Sequence, residues 1–194
     1  SLCIKQQNYY DFVDLYDYND LDNIKIKLMY KSNLLRKYQI IYYGRKITIN
    51  CLNSAWLTEL HEKPGNLFLP DKEVKKIAKD ADLVITVYHH PSNWMHPNDR
   101  NTFNRWVMNK SDLVFVGHEH VGRNEQVETR ETIYHAQFGE VLQDRDNPDN
   151  SGFIINRSEN DNNSVSVYKW DNERKIYRSD YTENKRINLN PNKY

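Results

Sequence analysis

The sequence predicts a one-domain α/β fold, and three observations predict it. Two continuous apolar runs, LVITVY from Leu83 and LVFV from Leu113, have the character of strands buried on both faces. Between them NTFNRWVMNK has helical spacing, with Phe103, Trp106 and Val107 on one face. After Gly122 the pattern changes to short alternating strands joined by turn-rich linkers such as DRDNPDNS. Strand, helix, strand with apolar strands is a parallel unit covered on at least one face, and the rest reads as an antiparallel meander. Together they make an α/β sandwich, a mixed sheet followed by a meander.

In chain order, residues 1–45 form a polar segment with scattered Tyr, Leu and Ile, read as one or two irregular helices. The core is expected from 46 to 178. At its entrance Tyr38–Tyr43 and Lys46–Leu52 are β-branched and aromatic, and Gly44 between them predicts two strands joined by a turn. Lys72–Ala81 places Val74, Ile77, Ala78 and Ala81 at helical spacing. The loop PSNWMHPND follows the first buried strand, with two prolines as breakers. In the meander, strands are expected at Thr132–Phe138, Gly152–Asn156, Val165–Trp170 and Lys175–Arg178, ahead of a polar tail over 179–194.

At 194 residues the chain is long enough to bury a core, but only 38% of it is hydrophobic, so its 14 Tyr and 4 Trp are expected to carry much of that core. The 27 basic and 27 acidic residues balance, so net charge indicates neither a nucleic-acid nor a membrane partner. Locally, five aspartates fall between Asp11 and Asp22, and seven Lys or Arg with no acid lie between Ile24 and Ile47. The plain reading is a solvated face. The sharper one is a basic patch, with Tyr30, Tyr38, Tyr42 and Tyr43 interleaved, that meets nucleic acid. Cys3 and Cys51 lie far apart without a CxxC pair, which indicates neither a disulfide framework nor a cysteine zinc site. No stretch approaches the length of a membrane span and no leader pattern opens the sequence, so a soluble, cytoplasmic protein is expected.

Four of the seven histidines follow the two buried strands: His89 and His90 after the first, His118 and His120 after the second. Open α/β sheets bind ligands beyond the carboxyl ends of their strands, so the two pairs are expected to face one site. The spacing His-x-His on extended chain aims both rings the same way, and imidazole is a common ligand for borderline metals. Ordinary loop histidines with hydrogen-bonded rings are the bland alternative.

HHP at His89–Pro91 and GHEH at Gly117–His120, each closing a strand, resemble the C-terminal half of the calcineurin-like metallophosphoesterases. CLNSAW from Cys51 and YHAQFGEVLQD from Tyr134 are similar to strands flanking that region in the family, so the resemblance covers about residues 40–170. It implies part of a four-layer αββα sandwich. It also implies a hydrolase of phosphate mono- or diesters that uses two divalent ions (Mn, Fe or Zn) and a hydroxide between them. By matched position His89 and His118 would bind the second metal and His120 the first. His90 would be a catalytic pocket residue touching substrate, with Asn93 and Trp94 in the pocket wall.

The family's D-x-H, G-D-x-x-D and G-N-H-[D/E] motifs do not occur in the sequence; GNLFL at Gly65 lacks the histidine. Three histidines without acids do not make a dinuclear site. The chain is therefore expected to hold the His-rich half of a larger fold, to be inactive alone, and to pair with a complementary N-terminal segment or a second copy. Two other readings of the residues stay open: a nucleic-acid-binding or interaction module with structural histidines, and a mononuclear zinc site made by His89, His118 and His120.

Overall fold

The computed structural model describes residues 6–15, 24–59, 61–78, 80–119, 123–128, 133–139, 142, 144, 146–159 and 162–186. For 123–128 and 133–138 it describes the backbone course alone. His120, Gly122 and the end of the expected tail lie outside the described residues.

Helix α1 (Gln7–Leu15) precedes three antiparallel strands, β1 (Lys25–Lys31), β2 (Leu35–Tyr42) and β3 (Arg45–Leu52). The β2–β3 turn is Tyr43-Gly44, with φ of 47° and 76°. Two successive positive φ values define the two-residue hairpin turn whose twist matches its strands, and glycine carries the second without strain. The expectation of a helical segment over 1–45 holds for α1 and fails from residue 25 onward. KIKLMYK alternates, exposing Lys25, Lys27, Met29 and Lys31 on one face, and β1 lies at the edge of the sheet. Lysines along a sheet edge discourage pairing with another chain. Three of the seven basic side chains in this stretch have carboxylate partners. Lys31 and Arg36 both pair with Asp14, and the Lys37 ammonium lies 2.7 Å from Asp80. Burial alone would raise the Asp80 carboxyl, but the hydrogen bond and charge of Lys37 outweigh it and hold it below the ordinary carboxylate value.

After a loop the chain enters α2 (Asp71–Val74), β4 (Leu83–Tyr88), α3 (Pro97–Lys110) and β5 (Leu113–Val116). The helix expected over Lys72–Ala81 stops after one turn. Lys76 and Ile77 donate to carbonyls three residues back, and Asp80 and Asp82 are drawn onto the sheet by Lys37, Thr48 and the Lys46 N–H. The spacing still delivers Val74, Ile77 and Ala81 to the interior. Strands β3, β4 and β5 run parallel, as the apolar runs predict. The aspartates that open DLVITV and DLVFV play matching parts: Asp82 accepts from the Lys46 N–H of β3 at 2.7 Å, and Asp112 from the Val84 N–H at 2.8 Å. Each carboxylate fixes where its strand starts against its neighbour.

Strands β6 (Arg123–Glu128) and β7 (Ile133–Phe138) complete a seven-stranded sheet in the order β1-β2-β3-β4-β5-β7-β6. Here the expected meander is corrected: β7 joins the large sheet, parallel to β5, and β6 pairs antiparallel beside it. Among the described residues β8 (Gly152–Glu159), β9 (Asn162–Asp171) and β10 (Ile176–Arg186) form the antiparallel meander, as a separate three-stranded sheet. Strand β10 also occupies much of the expected tail, because its backbone pairs with β9 as far as Arg186 opposite Asn162.

The core lies between one face of the large sheet and the helices. Even-numbered residues of β4 and β5 are buried there: Tyr88, Val114 and Val116 cluster with Val74, Ile77, Phe103 and Val107, and Val84 is fully buried on the same strand as Tyr88. On the other face a cavity of about 560 Å³ separates the sheets, bounded by Cys51, Val87 and Phe115 on one side and Gly152, Phe153 and Ile154 on the other. Val87 keeps 37% of its surface exposed there, whereas Val84, on the same strand, keeps none. No helix of the described residues is long and apolar enough to cross a membrane.

Candidate metal centre

Parallel pairing sets Tyr88 beside Val116, so β4 and β5 end level, and Gly117 N–H donates to the Tyr88 carbonyl at 3.1 Å. The residues that follow, His89 and His90 on one strand and His118 on the other, must therefore meet. His89 Nε2 and His118 Nδ1 stand 3.4 Å apart. Two ligand nitrogens at about 2.05 Å from a tetrahedral zinc ion are separated by about 3.3–3.4 Å, so this pair already has the spacing of two ligands on one ion. Each of His89, His90 and His118 offers a ring nitrogen within 4.8 Å of those of the other two.

Two backbone features produce this meeting. His118 has φ of 67°, a left-handed conformation that side chains with a Cβ adopt at a cost and that gathers at functional sites. Gly117 provides the room, since a Cβ there would lie 2.6 Å from His89 Nδ1. On the other strand end, buried Ser54 acts as a bracket. Its Oγ accepts the N–H groups of His89 at 3.2 Å and His90 at 3.0 Å, and it lies 3.1 Å from His90 Nδ1. Burial pushes the His90 imidazole down from 6.5 to about 4, helped by the neighbouring His89 and His118 and partly opposed by Glu62. His90 is therefore neutral at neutral pH.

Trp94, on the short 3-10 turn Ser92–Trp94, sets its ring 4.2 Å from that of His118 and 5.7 Å from that of His90. Asn93 is exposed on the same turn. His89, His90, Trp94 and His118 line an open cleft of about 760 Å³. The opposite wall went unread in the sequence: the loop after β3 brings Glu59, His61, Glu62 and Lys63 to the same cleft. The Glu62 carboxylate is held there by the N–H groups of Glu59 at 3.1 Å and Lys63 at 3.0 Å. The only sequence signal was the run of titratable residues ELHEK, which has no motif spacing.

The donor set suits a borderline divalent metal: imidazole nitrogens, at ligand spacing, on adjacent strand ends, with carboxylates across the cleft. No family model and no curated protein matches the chain. Among solved structures, a hypothetical protein from Thermus thermophilus aligns with 77% of this chain and 62% of its own length, at 11% identity and a TM-score of 0.37. The calcineurin-like phosphoesterase YfkN from Bacillus subtilis aligns with 86% of this chain and 55% of its own length, at 12% identity and a TM-score of 0.29. Both scores are too low for the likeness to establish a shared fold. The chain spans less than two thirds of either protein.

Proposed function

We propose that this chain carries the histidine-rich part of a metal-dependent phosphoesterase site. The observation that supports it above all is the 3.4 Å spacing of His89 Nε2 and His118 Nδ1 at the ends of adjacent parallel strands. The HHP and GHEH sequences in which they stand give the reaction class by resemblance. A divalent ion held there would polarise a phosphoryl oxygen and stabilise charge built up during displacement at phosphorus. The chain's own residues do the rest. His89 and His118 hold the ion, and His120 is assigned by the same resemblance to the other ion. Trp94 closes one side of the cleft, and Lys63 on the opposite wall offers a cation to a bound phosphate. Glu59 and Glu62 are the carboxylates that line the cleft, and a site for a second ion takes further acids from a complementary segment or a second copy of the chain. A four-layer sandwich would likewise need helices outside the three-stranded sheet, whereas the described helices are tied to the large one.

The test is a metal titration of the purified chain, followed by a chromogenic phosphodiester with added manganese. One zinc or manganese ion is expected to bind per His89–His118 pair, and both His89→Ala and His118→Ala are expected to weaken it a hundredfold or more. Equal binding by wild type and both variants overturns the site. Hydrolysis that survives both substitutions overturns the function.

A further inference from the structure

We propose that His90 is a hydrogen-bond donor to the substrate's phosphoryl oxygen through its Nε2–H, and takes no part in holding the metal. The proposal rests on the phosphoesterase reading for its substrate class, but its structural half stands on a count of hydrogen bonds at Ser54. A hydroxyl oxygen has one hydrogen to give and two lone pairs to accept with. Both lone pairs of Ser54 Oγ are filled, by the N–H groups of His89 and His90 at 3.2 and 3.0 Å. The third contact of the same oxygen, 3.1 Å to His90 Nδ1, must then be the serine hydroxyl donating to the ring.

An Nδ1 that accepts a hydrogen bond carries no proton, so the ring's proton sits on Nε2. Neither ring nitrogen is then left as a ligand: Nδ1 spends its lone pair on Ser54, and Nε2 has none to give. Ser54 and His90 are 1% and 5% exposed, so bulk water does not compete for the bracket. Proximity alone makes His90 look like a third ligand, and the hydrogen-bond count divides the cluster differently. His89 and His118 face one another across ligand spacing. His90 lines the same cleft with its ring centroid 4.8 Å from that of His118. From there a fixed N–H can meet an oxygen of a phosphate that the ion also holds, without the charge that would repel the ion.

Three measurements test this on the whole chain. The ring-nitrogen ¹⁵N spectrum of histidine-labelled wild type is expected to show His90 as the Nε2–H tautomer, with or without zinc. Zinc affinity is expected to stay within about threefold in His90→Gln, which keeps an N–H donor, and in His90→Phe, against the hundredfold loss in His118→Ala. With zinc bound, affinity for inorganic phosphate is expected to fall about tenfold in His90→Phe, the scale of one hydrogen bond to a charged group, and to be largely kept in His90→Gln. An Nδ1–H spectrum overturns the proposal, as does loss of zinc affinity in both His90 variants to the level of His118→Ala. If wild type takes up no metal, the phosphoesterase reading falls, and the ¹⁵N spectrum still decides the tautomer.

Discussion

Strands β4 and β5 begin alike and end differently. Each opens on an aspartate whose carboxylate fastens it to its neighbour, each is a short apolar run, and each closes on histidine. At the end of β4 the histidines are braced: Ser54 holds two backbone N–H groups and one ring. At the end of β5 glycine clears a space and His118 takes a positive φ to enter it. One end is a fixed bracket and the other a strained arm that reaches across to it. The difference teaches that two imidazoles can be brought to ligand spacing by two unlike devices, provided the parallel register brings the strand ends level.

The largest effect is expected from removing the arm's ligand. His118→Ala should cost a hundredfold or more in zinc affinity measured by competition with a chromogenic chelator, since even losing a ligand's supporting partner costs about 10–100-fold. Folding, followed by circular dichroism, should be little changed, because the ring is partly exposed. Gly117→Ala should come next. Its methyl would meet the His89 ring at 2.6 Å and turn it away, lowering zinc affinity about tenfold while His89 and His118 are both still present.

Breaking the bracket should act on stability first. Ser54→Ala leaves one buried and one partly buried N–H group without their acceptor, for a loss of about 2 kcal/mol in denaturant unfolding. It should also release His90 from a single tautomer. A loss of that size for Gly117→Ala and none for Ser54→Ala would reverse the comparison.

A further effect is one of pH. The folded protein holds His90 at about 4 and the unfolded chain at 6.5, so between those values the unfolded state binds more protons. The contribution of neutral His90 to stability is complete above pH 6.5 and is lost progressively as pH falls toward 4. Denaturant midpoints of the metal-free protein should show this decline, and His90→Gln should flatten it. A midpoint that rises as pH falls through this window would contradict the buried, neutral ring.

The parallel unit and its histidines were legible because buried parallel strands read as unbroken apolar runs, and the β-branched content of LVITVY and LVFV favours strand over a buried helix segment. The hairpin at Tyr43-Gly44 was legible from one glycine. Strand β1 was not, since its alternating lysines answer to an edge that exists only once the sheet is assembled. The short α2 and the transfer of β7 to the large sheet were hidden for the same reason, being settled by partners distant in sequence. Within the site, His89, His90 and His118 were visible as strand ends, while Ser54 and the wall with Glu62 had no spacing to mark them.

The cavity between the sheets gives Cys51 an unintended use. Its sulfur sits where the two layers face each other, and burial pushes the thiol above its ordinary pKa despite the opposing charge of Arg36. An alkylating reagent therefore meets two delays at that atom, scarce thiolate and restricted access, and both end when the layers separate. The rate at which Cys51 is modified becomes a clock for the opening of the sandwich, set on the face of the sheet opposite the helices that hold the core.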